Sequence, residues 1–280
     1  MLRKLISIPL ALALSAGAVF AAVDIRAGNI VTDTTWKRTG GPVNIYGDVA
    51  IENGATLTIE AGVDVRFYEV KGTGGYEDGA ELVVRKGTLV AEGKTGLPVK
   101  FTSANGVKKM GDWGAVVVEG SNQIILENAI IEFATNGLRL ANVNSIGSSR
   151  SSFEGTIIRY CLNNGVLAYN SRAKLYHLTV EHNGYAGVKT LWNCFVTANY
   201  CDLCNNDGMW NFYNGSSNNV DATNCWWGSA DPSFINRRIY DYHDNRAKGE
   251  VDYSPYLTGP WREGGKVPNY SLGFLKTFFK

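Results

Sequence analysis

Three residues stand where their types and spacing could carry reaction chemistry: Glu132, Arg159 and Glu181. Each directly follows an apolar residue of a recurring phrase, namely Ile131, Ile158 and Val180, and Leu203 continues the series. These four apolar positions are 27, 22 and 23 residues apart. If each phrase marks one turn of a stacked chain, neighbouring copies lie ~4.8 Å apart and the two glutamates ~9.6 Å apart. That is the upper edge of the ~6.5–9.5 Å that separates acid and base in an inverting glycosidase. His182 would flank the pair. A polysaccharide lyase would instead need clustered carboxylates for calcium beside a basic residue that removes a proton. No DxD and no doubled aspartate supplies such a cluster. The residue pattern favours a plainer reading, a ladder of alternating charge in which Arg159 pairs with both glutamates. His177, His182 and His243 lack metal-ligand spacing and no phosphate-binding glycine loop is present, so neither a metal nor a cofactor is expected.

The aromatic residues suggest binding rather than catalysis. Tyr169, Trp192 and Tyr213 each directly precede an asparagine, Asn170, Asn193 and Asn214, and Trp210 lies near the last of them. Aligned in a column on a rigid sheet, such rings would present apolar faces to sugars while asparagine side chains bond hydroxyls. Mutual stacking that merely covers the core is the alternative, and both readings stay open. Five cysteines occur, Cys161, Cys194, Cys201, Cys204 and Cys225. Cys204 and Cys225 are separated by close to one repeat, so a disulfide between stacked turns is expected there. Cys201-x-x-Cys204 has no second pair beside it and is read as core thiols rather than a metal or redox motif.

The elements that position these residues follow from periodicity. Each central unit reads apolar, two variable residues, a short turn, glycine, then another apolar residue, with Gly137, Gly165, Gly187 and Gly208 as the glycines. Asn142, Asn170, Asn193 and Asn214 follow, one per unit, and are expected to bond to one another along a column. The glycines are expected to supply positive φ at bends. Sustained helical spacing is absent, and no proline occurs between Pro98 and Pro232, as suits strands laddered on both sides. Strands too short to bury their own apolar sides must stack successive turns into a continuous core. The N-terminal half alternates strictly, as in Val49-Ala-Ile51 and Leu57-Thr-Ile59, with glycine at the corners.

These units, with Gly111-Asp-Trp113-Gly and the later Asn224-Cys-Trp226-Trp227-Gly228, resemble the secreted bacterial right-handed parallel β-helix proteins of the pectate-lyase-like superfamily. The resemblance covers roughly residues 31–257. It implies an all-β, right-handed parallel β-helix solenoid with a short C-terminal capping helix, expected over Pro232–Tyr240 after the cap Asp231. It leaves function open, because such folds serve lyases, hydrolases, carbohydrate-binding modules and surface proteins alike.

Three segments are expected: a signal peptide at 1–21, a β-helix with its caps at 22–257 and a tail at 258–280. Arg3 and Lys4 precede an apolar run, and Val19-Phe20-Ala21 suits cleavage, so the protein is expected to be secreted, periplasmic or on the cell surface, with no membrane span in the mature chain. The net charge of +1 argues against nucleic-acid binding driven by bulk charge. A polysaccharide is the expected partner, engaged without catalysis. The rivals are a lyase or glycosidase, and an envelope component that self-associates through its tail or coil ends.

Overall fold

The computed structural model describes residues 22–69, 79–120, 123–144 and 153–263. The expected signal peptide and the tail beyond Glu263 lie outside the described residues. The short apolar-alternating runs form strands, and every strand-to-strand pairing among the described residues is parallel. The chain is a parallel β-helix.

Each turn of the chain visits three sides in order. The first sheet has eight strands, from Val23–Ile25 to Asp202–Leu203, and the second has nine, from Gly28–Ile30 to Ile239–Tyr240. The third side is split into two four-stranded sheets, one ending at Gln123–Glu127 and the other beginning at Arg172–Tyr176. Val143 and Phe153, which lie between these two sheets in the chain, are both buried in the core.

The repeat anchors form the expected column. Ile131 pairs with Ile158, Ile158 with Val180 and Val180 with Leu203. Phe101 and Val65 extend the same column towards the N-terminus. All are fully buried, and one continuous apolar core runs from Trp36 to Tyr256. Burying that column from both neighbours is what selects the stack, since a single short strand pairs none of its own backbone N–H and C=O groups.

The N-terminal corner glycines Gly54 and Gly62 take positive φ as expected, at 78° and 82°, but the central glycines differ. Gly137 and Gly165 do not adopt positive φ. A Cβ at Gly137 would lie 2.3 Å from Ile158 Cγ2, and one at Gly165 would lie 2.4 Å from Val180 Cγ1. These glycines are needed because the second sheet starts directly against the anchors of the first. The left-handed backbone falls instead on the residues that leave the first sheet, Phe133, Tyr160, His182 and Asn205, with φ of 64°, 53°, 54° and 52°. Three of them stack as rings, Phe133 on Tyr160 at 5.7 Å and Tyr160 on His182 at 5.4 Å.

The C-terminal end also departs from the sequence reading. Asp231 caps the helix by accepting a 2.9 Å bond from the Ser233 N–H, but the helix covers only Pro232–Asn236. Ile239–Tyr240 leaves it to become the last strand of the second sheet, with Ile239 opposite Phe212. Residues 258–263 fold back on the coils. The Trp261 ring stacks on His177 at 4.2 Å, and the Trp261 backbone N–H donates to Asp202. Arg262 approaches Glu181 at 3.4 Å and Asp202 at 3.7 Å. Burial pushes the Asp202 carboxyl up, opposed by the Trp261 N–H and Arg262.

Candidate functional site

Glu132, Arg159 and Glu181 occupy one column, as the spacing predicts. Their pairing is not the expected one. Arg159 forks onto Glu132 through Nε at 3.1 Å and Nη2 at 3.0 Å. Thr102 donates to the other Glu132 oxygen at 3.0 Å and receives a 2.8 Å bond from Lys108. Glu181 is met by Arg262, a residue 81 positions later in the chain. Both glutamates are buried, and an arginine meets one carboxylate oxygen of each. Among the described residues no group of three His, Cys, Asp or Glu side chains is arranged to hold a metal.

The four candidate aromatics fall into two pairs, and the expected single column does not form. Tyr169 lies opposite Leu191, and Tyr213 opposite Lys189, while Trp192 lies opposite Ser216. Length contributes: the strand Ala186–Trp192 runs one position further than Asn164–Tyr169. Gly208 is not the counterpart of Gly187 either, since Asn211 takes that place in the register.

Trp210 and Tyr213 join Tyr185, Lys189 and Tyr240 at the end of the second sheet. Tyr213 stacks on Tyr240 at 4.2 Å with planes 2° apart, and Lys189 lies 5.2 Å from the Tyr213 centroid. Lys189 also covers Tyr185 at 4.5 Å. Burial raises the Tyr213 phenol to about 12, with Tyr240 adding to it, and lowers the Lys189 ammonium. Tyr213 is thus engaged within the protein. Tyr185 and Tyr240 carry no signal that separates them from the repeat pattern.

Trp192 and Tyr169 make the other pair, at the corner between the second and third sides. Trp192 takes the left-handed backbone that Asn170 adopts one turn earlier, with φ of 60° and 48° respectively. Trp192 is 63% exposed, and its ring meets Tyr169 edge-on, at 5.4 Å and 77°. Beside it runs an amide ladder: Asn170 donates to Asn142 at 3.3 Å, the Asn193 N–H donates to Asn170 at 3.4 Å, and Asn218 donates to Asn193 at 3.0 Å. Asn218 therefore completes the expected series. Asn214 turns inward, where it accepts from Thr190 at 2.7 Å and donates to Gly249 O at 2.9 Å.

An open groove of about 460 Å³ begins just past this corner, lined by Phe195, Thr197, Asn219, Asp221, Glu250 and Asp252 among others. Phe195 is exposed, with the Arg172 guanidinium 3.9 Å from its centroid. Outward positions on parallel strands build the floor, Thr197 opposite Asp221 and Asp221 opposite Asp252. The repeat pattern singles out none of these groove residues. The doubled Asn218-Asn219 and the alternation Phe195-Val-Thr197 are the signals that mark them.

The expected Cys204–Cys225 disulfide is not present, and all five cysteines are buried thiols. The register explains why. Asp202 pairs with Trp226, so the residues just before them, Cys201 and Cys225, are the ones that lie over each other.

Residues 28–151 match the family model of the pectate-lyase-like beta helix domain. No curated protein and no solved structure matches the chain.

Proposed function

We propose that this parallel β-helix is an exported, non-catalytic module that binds a polysaccharide across the Trp192 corner and the groove beside it. The observation that carries the reading is Trp192 itself, a residue 63% exposed whose neighbouring ring, Tyr169, touches it edge-on rather than covering it face to face. Exposing so large an apolar face beside polar amides suits a ligand with an apolar face and a hydroxylated rim. A pyranose ring has that character. Asn170, Asn193 and Asn218 supply donors and acceptors along the corner, and Asn219 and Asp221 continue them into the groove. The ladder spacing repeats polar groups every ~4.8 Å, which suits a repeating ligand better than a compact one. The alternative catalytic pair lacks this openness, because Arg159 and Arg262 occupy Glu132 and Glu181.

A glycan array followed by calorimetry on the full chain tests the reading. Trp192→Ala should weaken the bound polysaccharide at least tenfold, about 1.4 kcal/mol. Tyr213→Phe, in the self-stacked group, should leave affinity unchanged. Undiminished binding by Trp192→Ala would sink the site. Accumulation of reducing ends or unsaturated uronates, abolished by Glu132→Gln, would establish the enzymatic reading instead.

A further inference from the structure

Cys201 and Cys225 occupy equivalent places one turn apart. Each follows a residue in the left-handed conformation, Tyr200 at φ 53° and Asn224 at φ 57°, so the chain turns inward in the same way at both. The turns are tied by the Trp226 backbone N–H, which donates to Cys201 O, and the Leu203 N–H, which donates to Trp226 O, both at 2.8 Å. Neighbouring parallel strands hold their Cα atoms ~4.8 Å apart, inside the ~4.4–6.8 Å that a disulfide spans. Both side chains are fully buried in the same core, where the Cys225 thiol lies 3.1 Å from Ala198 O and the Cys201 thiol 3.3 Å from Asn199 O, on the same stretch of chain. Cys204 is excluded from this arrangement. It lies one position beyond the anchor Leu203, beside Gly228.

We infer that Cys201 and Cys225 are a disulfide site that locks the last complete turn of the β-helix onto the turn before it. Because both sulfurs are buried in the folded chain, the bond forms while the chain folds, before Leu257 donates to Cys225 O and Trp261 docks on Asp202. The oxidant is a disulfide in exchange, a small molecule such as glutathione disulfide or a protein disulfide. One cysteine thiolate attacks it, forming a mixed disulfide and expelling one thiolate. The second cysteine, as its thiolate, then displaces the other half. Two protons and two electrons leave the protein, and the oxidant departs as two thiols.

The experiment refolds the full chain from denaturant with a glutathione redox couple, with dithiothreitol as the reduced control. Free thiols should fall from five to three, and peptide mapping should find Cys201 joined to Cys225. The oxidised form should melt several degrees above the reduced one, and Cys204→Ser should change neither result. Five remaining thiols, a Cys204–Cys225 link, or glutathione retained on Cys201 or Cys225 would each overturn the assignment. The map is made on the unsubstituted chain, so the outcome does not depend on a cysteine variant folding.

Discussion

Arg85 and Arg159 hold the same place in two Glu–Arg–Glu ladders, one on each of the two long sheets. On the second sheet Arg85 bridges both neighbours, Glu52 at 3.2 Å and Glu119 at 2.7 Å. On the first sheet Arg159 gives both of its side-chain hydrogen bonds to Glu132, and Glu181 is met by Arg262 from the folded-back C-terminal segment. The same order of charges therefore produces a shared cation in one case and divided pairs in the other. The difference comes from what else reaches each column. Glu52 also accepts from Asn29, which belongs to the turn before it, at 2.8 Å. Around the other ladder, Lys108 comes from a loop and Arg262 from the far end of the chain, and both compete for the carboxylates. Burial differs as well: Arg85 has 45% of its side chain exposed and Arg159 32%, while Glu119 has 18% and Glu132 10%.

A third arginine sets the upper end of this scale. Arg139 pairs with Glu81 at 3.1 Å with both side chains 2% exposed. Glu81 packs against Gly114, where a Cβ would stand 2.6 Å from the glutamate Cγ. Arg139→Ala should cost the most stability, about 3–5 kcal/mol, because it takes the guanidinium away from a carboxylate that is 2% exposed. Urea denaturation measures the loss, and replacing the pair together as Glu81→Leu with Arg139→Met should recover most of it. Arg159→Ala should cost less, about 1–3 kcal/mol, since Lys108 and Thr102 still attend Glu132. Arg85→Ala should cost least, about 0.2–1 kcal/mol, and that loss should shrink further in high salt. Equal losses for Arg85→Ala and Arg159→Ala would show that burial and competing partners are not what separates the ladders.

Much of the fold is legible in the sequence because the physics that sets it is local and repeated. The column Ile131–Ile158–Val180–Leu203 can be read from spacing, and the alignment of Glu132, Arg159 and Glu181 follows from it, each being one residue further along. The aromatic register is not legible. Counting from glycines misplaces it, because Gly208 does not stand over Gly187, and Tyr213 and Trp192 do not share a column. The same kind of shift brings Cys225 over Cys201 instead of Cys204, since the turn that starts at Asp202 returns to register only at Trp226. Corner length is set by the space above the turn below, which no single repeat reveals.

The order of residues alone was enough to require short strands stacked into a parallel β-helix, a glycine after each of several central turns, and the Glu–Arg–Glu column. Alternation and repetition suffice for these, because every turn buries the same positions against the same neighbours. Which partner each charge takes, which rings face solvent and which two sulfurs meet emerged only once the turns were assembled. Those outcomes depend on small differences in length between corners and on a C-terminal segment that returns from far along the chain, and both act between turns rather than within them.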